Sequence, residues 1–156
     1  ARLYFDGGVP ERGMQLRQVH AEPSPSRHAY ICGPKPLVDA ALREAQALGW
    51  SPSHIHFELF GAAAPATGDQ PIRVTLARSG RTIEVAADTS ILDAMIEAGC
   101  DPMFDCKRGE CSVCAHKVLE GVADHRDYVL SDQDKQEGLL CVCVSRARTP
   151  QLTLDA

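Results

Sequence analysis

Cys106, Cys111 and Cys114 spell C-x4-C-x2-C, and a further thiol follows Cys114 after 28 intervening residues at Cys143, or after 26 at Cys141. This is the ligand spacing of a plant-type [2Fe-2S] site. Two irons and two sulfides held by four thiolates form a dianion when oxidised, so such a loop must wrap closely and aim backbone N–H groups at the sulfurs. Gly109, inside the four-residue spacer, allows that close approach. Ser112 and Ala115 are small enough not to crowd it. Zinc would also take four thiolates, but it is usually held by paired short knuckles, whereas here one loop supplies three thiols and the fourth is remote. Cys114-Ala115-His116 offers half of a Rieske motif, yet Cys143 is followed by Val144, Ser145 and Arg146, with no second Cys and His pair. Cys100 and Cys141 read as buried thiols that behave as small apolar residues. Read as two apart on one strand, Cys141 and Cys143 point to the same face, and spacing favours Cys143.

Seven cysteines in 156 residues would suggest a disulfide framework in a secreted miniprotein, but this chain is larger than such scaffolds. With no signal-peptide pattern, metal binding is favoured, and a reducing, cytoplasmic setting is expected. Sixteen basic against twenty-one acidic side chains give a net charge of -5. That disfavours a nucleic-acid surface, which needs clustered Lys and Arg. No apolar run approaches the roughly 20 residues of a membrane span, so no membrane partner is expected either.

The elements that must position the thiols can be read from periodicity. Between Gly61 and Pro71 the chain is small, polar and rich in Pro and Gly, which is linker composition. Before it, strands are expected at Arg2 to Asp6, His28 to Cys32 and His54 to Phe60, with a helix from Pro36 to Leu48 closed by Gly49. Strand, helix, strand of this length is a parallel crossover unit, too small to cover both faces of a parallel sheet. After the linker, Ile72 to Ala77 and Thr82 to Val85 form a hairpin through Ser79-Gly80. Ser90 with Asp93 resembles a capping box for a helix that Gly99 ends. His116 to Leu119, Leu139 to Val144 and Gln151 to Leu154 read as further strands, giving an α+β mixed sheet gripping one helix. His54 and His56 make a poor metal site without a third ligand, and are read as solvated or packing residues.

These residues resemble a known family: the reductase components of Rieske non-haem iron oxygenases, of the phthalate dioxygenase reductase and vanillate demethylase reductase type. The resemblance rests on Ser90-Ile91-Leu92, on Cys106-Lys107-Arg108-Gly109-Glu110-Cys111-Ser112-Val113-Cys114, on Gly121 to Val129 with its Ala-Asp-His-Arg-Asp core, and on Val142-Cys143-Val144-Ser145-Arg146-Ala147. Upstream it rests on Tyr30-Ile31-Cys32-Gly33-Pro34 and on His56-Phe57-Glu58-Leu59-Phe60-Gly61. It implies an α/β fragment, the C-terminal part of a ferredoxin-reductase-like nucleotide-binding module, over residues 1–61. A linker at 62–70 and an α+β β-grasp plant-type ferredoxin domain at 71–156 follow.

The resemblance further implies cluster ligands at Cys106, Cys111, Cys114 and Cys143. It implies a nicotinamide-side position for Cys32, Gly33 and Pro34 at the carboxyl end of a strand, and a flavin-side position for Phe60. Cys32 would be a positioning residue, no residue is expected to be catalytic, and His125 would order the loop between the third and fourth ligands. Arg2-Leu3-Tyr4-Phe5 departs from the family's flavin signature Arg-x-Tyr-Ser/Thr, and no G-x-G-x-x-G turn is present.

The expectation is therefore a reductase component that passes electrons from NAD(P)H via FMN to a [2Fe-2S] cluster and on to a Rieske oxygenase component, with a flavin-binding domain in cis that this chain lacks. A stand-alone ferredoxin electron carrier with a non-functional N-terminal remnant is the alternative. Phe104, Asp105, Arg108 and Glu110 are the expected docking residues, with Arg108 the cation that would meet an acidic partner.

Overall fold

The computed structural model describes residues 2–9, 12–20, 22–61 and 66–156. It divides into two compact units, Ala1–Gly61 and Ala62–Ala156.

In the first unit a short helix α1 (Leu16–His20) precedes strand β1 (Ala29–Gly33), helix α2 (Lys35–Ala47), a single 3-10 turn at Pro52–His54 and strand β2 (Ile55–Leu59). β1 and β2 pair in parallel, from Ala29 opposite Ile55 to Gly33 opposite Leu59. Pro34 stands at the N-cap of α2 and Pro36 lies in its first turn, where a missing N–H costs nothing. The helix buries Val38, Ala41 and Ala45, and Gly49 ends it at a φ of 79°. A Cβ at Gly33 would stand 2.9 Å from Cδ2 of Leu37, so that side chain would have to shift to make room. Along both strands every second residue is exposed, so Tyr30, Cys32, His56 and Glu58 line an uncovered face.

The strand expected over Arg2 to Asp6 does not form. Those residues are irregular and exposed, and Asp6 accepts from the Gly8 N–H at 2.8 Å to make a turn. Strand-prone composition alone gives no ladder; backbone groups need a neighbouring strand to pair with.

The second unit opens with the antiparallel hairpin β3 (Ile72–Leu76) and β4 (Arg81–Val85), followed by helix α3 (Ile91–Glu97). Then come β5 (Ala115–Glu120), β6 (Ala123–Asp124), a short helix α4 (Asp132–Gln136), β7 (Leu139–Cys141), β8 (Arg146–Ala147) and β9 (Gln151–Leu154). Five strands form one mixed sheet in the order β4-β3-β9-β5-β7, with β3 and β9 parallel, and β6 pairs β8 separately. Ser90 caps α3 by accepting from the Asp93 N–H at 3.0 Å. The helix then buries Ile91, Leu92 and Met95 in one core with Val74, Val85, Leu140 and Leu154 from the sheet. Each such side chain contributes about 1.5–3 kcal/mol of burial.

The strand expected from Leu139 to Val144 stops at Cys141. Val144 and Ser145 both donate backbone N–H groups to the Cys141 carbonyl, at 3.3 and 3.0 Å, so Cys143 sits in a turn and the same-face argument from strand alternation fails. Helix α4 is absent from the sequence reading, although Ser131 and Asp134 form a complete capping box. Two residues of the expected linker are also engaged. Asp69 receives a bidentate pair from Arg126 at 2.8 and 2.6 Å. The buried Arg146 donates to the carbonyls of Gln70, Ala86 and Thr89.

Candidate iron-sulfur site

The segment between α3 and β5 carries three of the four candidate thiols on a backbone that only a special conformation allows. Lys107, Gly109 and Ser112 all lie in the left-handed region, at φ values of 54°, 76° and 57°. For the two non-glycine residues this costs roughly 1–3 kcal/mol each. Part of the strain is held by side chains: Lys107 Nζ reaches Asp93 on α3 at 2.8 Å and lies 4.9 Å from the centroid of the Phe104 ring. Lys107 and Ser90 together hold the Asp93 carboxyl below its ordinary range.

The winding aims donors at sulfur. The Arg108 N–H stands 3.3 Å from Cys106 Sγ. Burial raises the Cys106 thiol, but the backbone N–H groups of Arg108, Glu110 and Cys111, with the Cys111 side chain, outweigh it and leave Cys106 lowered. The thiols of Cys141 and Cys143 hydrogen-bond to Cys114 and hold it down to about 3. That contact, with burial, pushes Cys141 and Cys143 up. A Gly109 N–H also reaches Cys143, and the charge of Cys106 acts on it. Cys143 therefore faces the loop, while Cys141 contacts Cys114 from within the core.

The thiols come together as contacts of two kinds, Cys106 with Cys111 and Cys114 with Cys143 and Cys141. Among the described residues no group of three or more His, Cys, Asp or Glu converges on a single metal ion. Paired thiols with backbone N–H groups directed at sulfur fit a two-iron group better than one tetrahedral zinc, which needs four converging ligands. Gly109 makes the fit close: a Cβ there would stand 2.8 Å from Val144 Cγ2 and 3.0 Å from Asp127 Cα. The Tyr128 N–H donates to the Gly109 carbonyl at 3.0 Å. The loop containing His125 is thus laced to the thiol loop, chiefly through Asp127 and Tyr128.

Arg108 is not the outward cation expected from the sequence. Its guanidinium holds Glu110 at 2.8 Å, which neutralises the charge locally. The exposed side chains around the loop include the apolar Met103, Phe104 and Val113 beside the polar Asp105 and Ser112.

In the first unit Cys32, Gly33 and Pro34 lie at the carboxyl end of β1, and the Phe60 N–H donates to the Gly33 carbonyl at 3.1 Å. All four residues are thus at one end of the parallel pair, with Cys32 and Phe60 exposed. The sequence reading left His54 and His56 without a third imidazole. His28 supplies one, with Nδ1 2.9 Å from His56 Nε2 and its ring centroid 4.6 Å from that of His54. The His28 and His56 rings are stacked and hydrogen-bonded to each other, and the His54 ring is tilted against His28.

Residues 74–148, within the second unit, match the family described as the 2Fe-2S iron-sulfur cluster binding domain. Over nearly its whole length the chain is a homologue of phthalate dioxygenase reductase and related oxygenase reductase subunits. It is 42% identical over 154 residues to phenoxybenzoate dioxygenase subunit beta of Ectopseudomonas oleovorans, covering 97% of this chain and 47% of that protein. To phthalate dioxygenase reductase of Burkholderia cepacia it is 36% identical over 155 residues, covering 99% and 47%. A solved phthalate dioxygenase reductase, described as a modular structure for electron transfer from pyridine nucleotides to [2Fe-2S], superposes with a TM-score of 0.67 at 35% identity. That match covers 99% of this chain and 48% of the other. The chain therefore spans about half the length of these relatives. Among the described residues no helix is long and apolar enough to cross a membrane.

Proposed function

We propose that Cys106, Cys111, Cys114 and Cys143 hold a plant-type [2Fe-2S] cluster, through which the chain passes single electrons from a reduced flavin to the Rieske centre of an oxygenase component. The observation that carries this reading is the thiol loop itself, with its left-handed backbone, its N–H groups on Cys106 and the turn that carries Cys143. When bound, the cluster supplies a one-electron store at a low potential, about -400 mV for plant-type centres.

The protein's part is to bind, orient and shield. Cys106 and Cys111 would serve one iron, Cys114 and Cys143 the other, with Cys141 an apolar neighbour. Met103, Phe104 and Val113 offer an exposed apolar rim where an electron acceptor could approach closely. FMN and NAD(P)H enter this reading with a flavin-binding domain in cis. Cys32, Gly33 and Pro34 would face the nicotinamide and Phe60 the flavin, as ligands sit at the carboxyl ends of strands in open α/β sheets.

The test is anaerobic rapid mixing of the cluster-loaded chain with reduced FMN, then with a Rieske oxygenase component. Bleaching of the chain by the flavin, followed by reduction of the Rieske centre, is expected. A chain that accepts no electron from reduced flavin would sink the proposal.

A further inference from the structure

We propose that Asp127, a buried carboxylate packed behind the cluster loop, sets the reduction potential of the site by placing a fixed negative charge against it; this rests on the [2Fe-2S] reading above. The Asp127 side chain is 0% exposed. Its hydrogen-bond donors are neutral: the Leu130 N–H at 3.0 Å and the Ser145 hydroxyl at 3.4 Å. His125 Nδ1 lies 3.7 Å away, outside hydrogen-bond range, and is itself buried without a hydrogen-bond partner. Arg126, the adjacent cation, is directed elsewhere, into Asp69 and Asp124. A buried carboxylate without a bonded cation is costly to the fold.

Its position ties that cost to the thiols. Asp127 Cα and Cβ stand 3.0 and 3.3 Å from where a Cβ on Gly109 would be, inside the four-residue spacer. The bond from Ser145 joins Asp127 to the segment two residues beyond Cys143. Its charge also contributes to raising Cys141, which contacts Cys114. Of the other charges nearby, Arg108 is paired with Glu110, Lys107 with Asp93 and Arg126 with Asp124, and Asp105 is exposed to solvent. Reduction adds one electron to a site beside this carboxylate, whose nearest ion-pair partner is the His125 imidazole at 3.7 Å, so Asp127 disfavours reduction and lowers the potential. A lower potential drives the electron on to a more positive acceptor.

The experiment is a spectroelectrochemical titration of the cluster-loaded chain, wild type against Asp127→Asn, which keeps the shape and removes the charge. The expected result is a positive shift equivalent to about a tenfold change in the reduced-to-oxidised ratio, or 59 mV for one electron. Because the charge is buried, the shift should persist at about 1 M salt. Ser145→Ala removes two hydrogen bonds, the one to Asp127 and the one from the Arg126 N–H, but no charge, and should leave the ratio within about twofold. Equal potentials for wild type and Asp127→Asn, a shift that salt abolishes, or an equal shift in Ser145→Ala would each overturn the proposal. Should Asp127→Asn fail to hold a cluster, His125→Lys places a cation beside the carboxylate and should move the potential in the same positive direction; no movement would overturn it equally. Iron content and visible absorbance of the wild type report separately on the cluster reading.

Discussion

Cys141 and Cys143 differ by two positions and by almost everything else. Cys141 ends β7 and lies in the core at 0% exposure, whereas Cys143 lies in the following turn and receives a Gly109 N–H from the thiol loop. Both contact Cys114, and Cys143, with the Gly109 N–H on it, is the one proposed to complete the set with Cys106, Cys111 and Cys114. Cys143→Ser should therefore lower cluster loading severalfold, read as visible absorbance per chain. Cys141→Val should leave loading intact and cost about 1–3 kcal/mol of stability, because it adds a methyl-sized group to a packed core. Loss of the cluster in Cys141→Val with retention in Cys143→Ser would reverse the assignment.

The loop that carries the thiols is an element defined by backbone conformation more than by hydrogen-bonded periodicity. Gly109 is its tightest point, wedged between Val144 and the Asp127 backbone at positive φ. Gly109→Ala should cost roughly 1–2 kcal/mol from the left-handed conformation alone, with the clash against Asp127 Cα in addition. A thermal melt and the cluster content of the purified variant measure it, and a wild-type melt with full loading would contradict the packing described here.

Much of this element was legible in advance, because C-x4-C-x2-C is a local pattern whose chemistry fixes its own geometry, and because Ser90 with Asp93 marks α3. What was not legible depended on partners distant in sequence. The run from Leu139 to Val144 is apolar throughout, so nothing local shows that it turns after Cys141. Arg2 to Asp6 has strand composition but no partner among the described residues. The capping signal at Ser131 and Asp134 has no apolar stripe behind it, since α4 buries no residue. Arg108 reads as a free cation until Glu110, two residues on, is seen to fold back onto it.

At the scale of the whole molecule the two units differ in how far their sheets are covered. The second has a continuous core, a five-stranded sheet and a helix packed within it. The first has two parallel strands with α2 on one face and an open face bearing Tyr30, Cys32, His56 and Glu58, whereas parallel sheets are normally covered on both. The chain spans about half the length of the relatives it matches. The central claim is that the second unit is an electron carrier built around two irons. Its most direct test is quantitation of iron and acid-labile sulfide in the anaerobically reconstituted chain, with electron paramagnetic resonance after reduction. The account predicts two of each per chain and a one-electron signal from a single coupled pair. A colourless protein holding one zinc would contradict it.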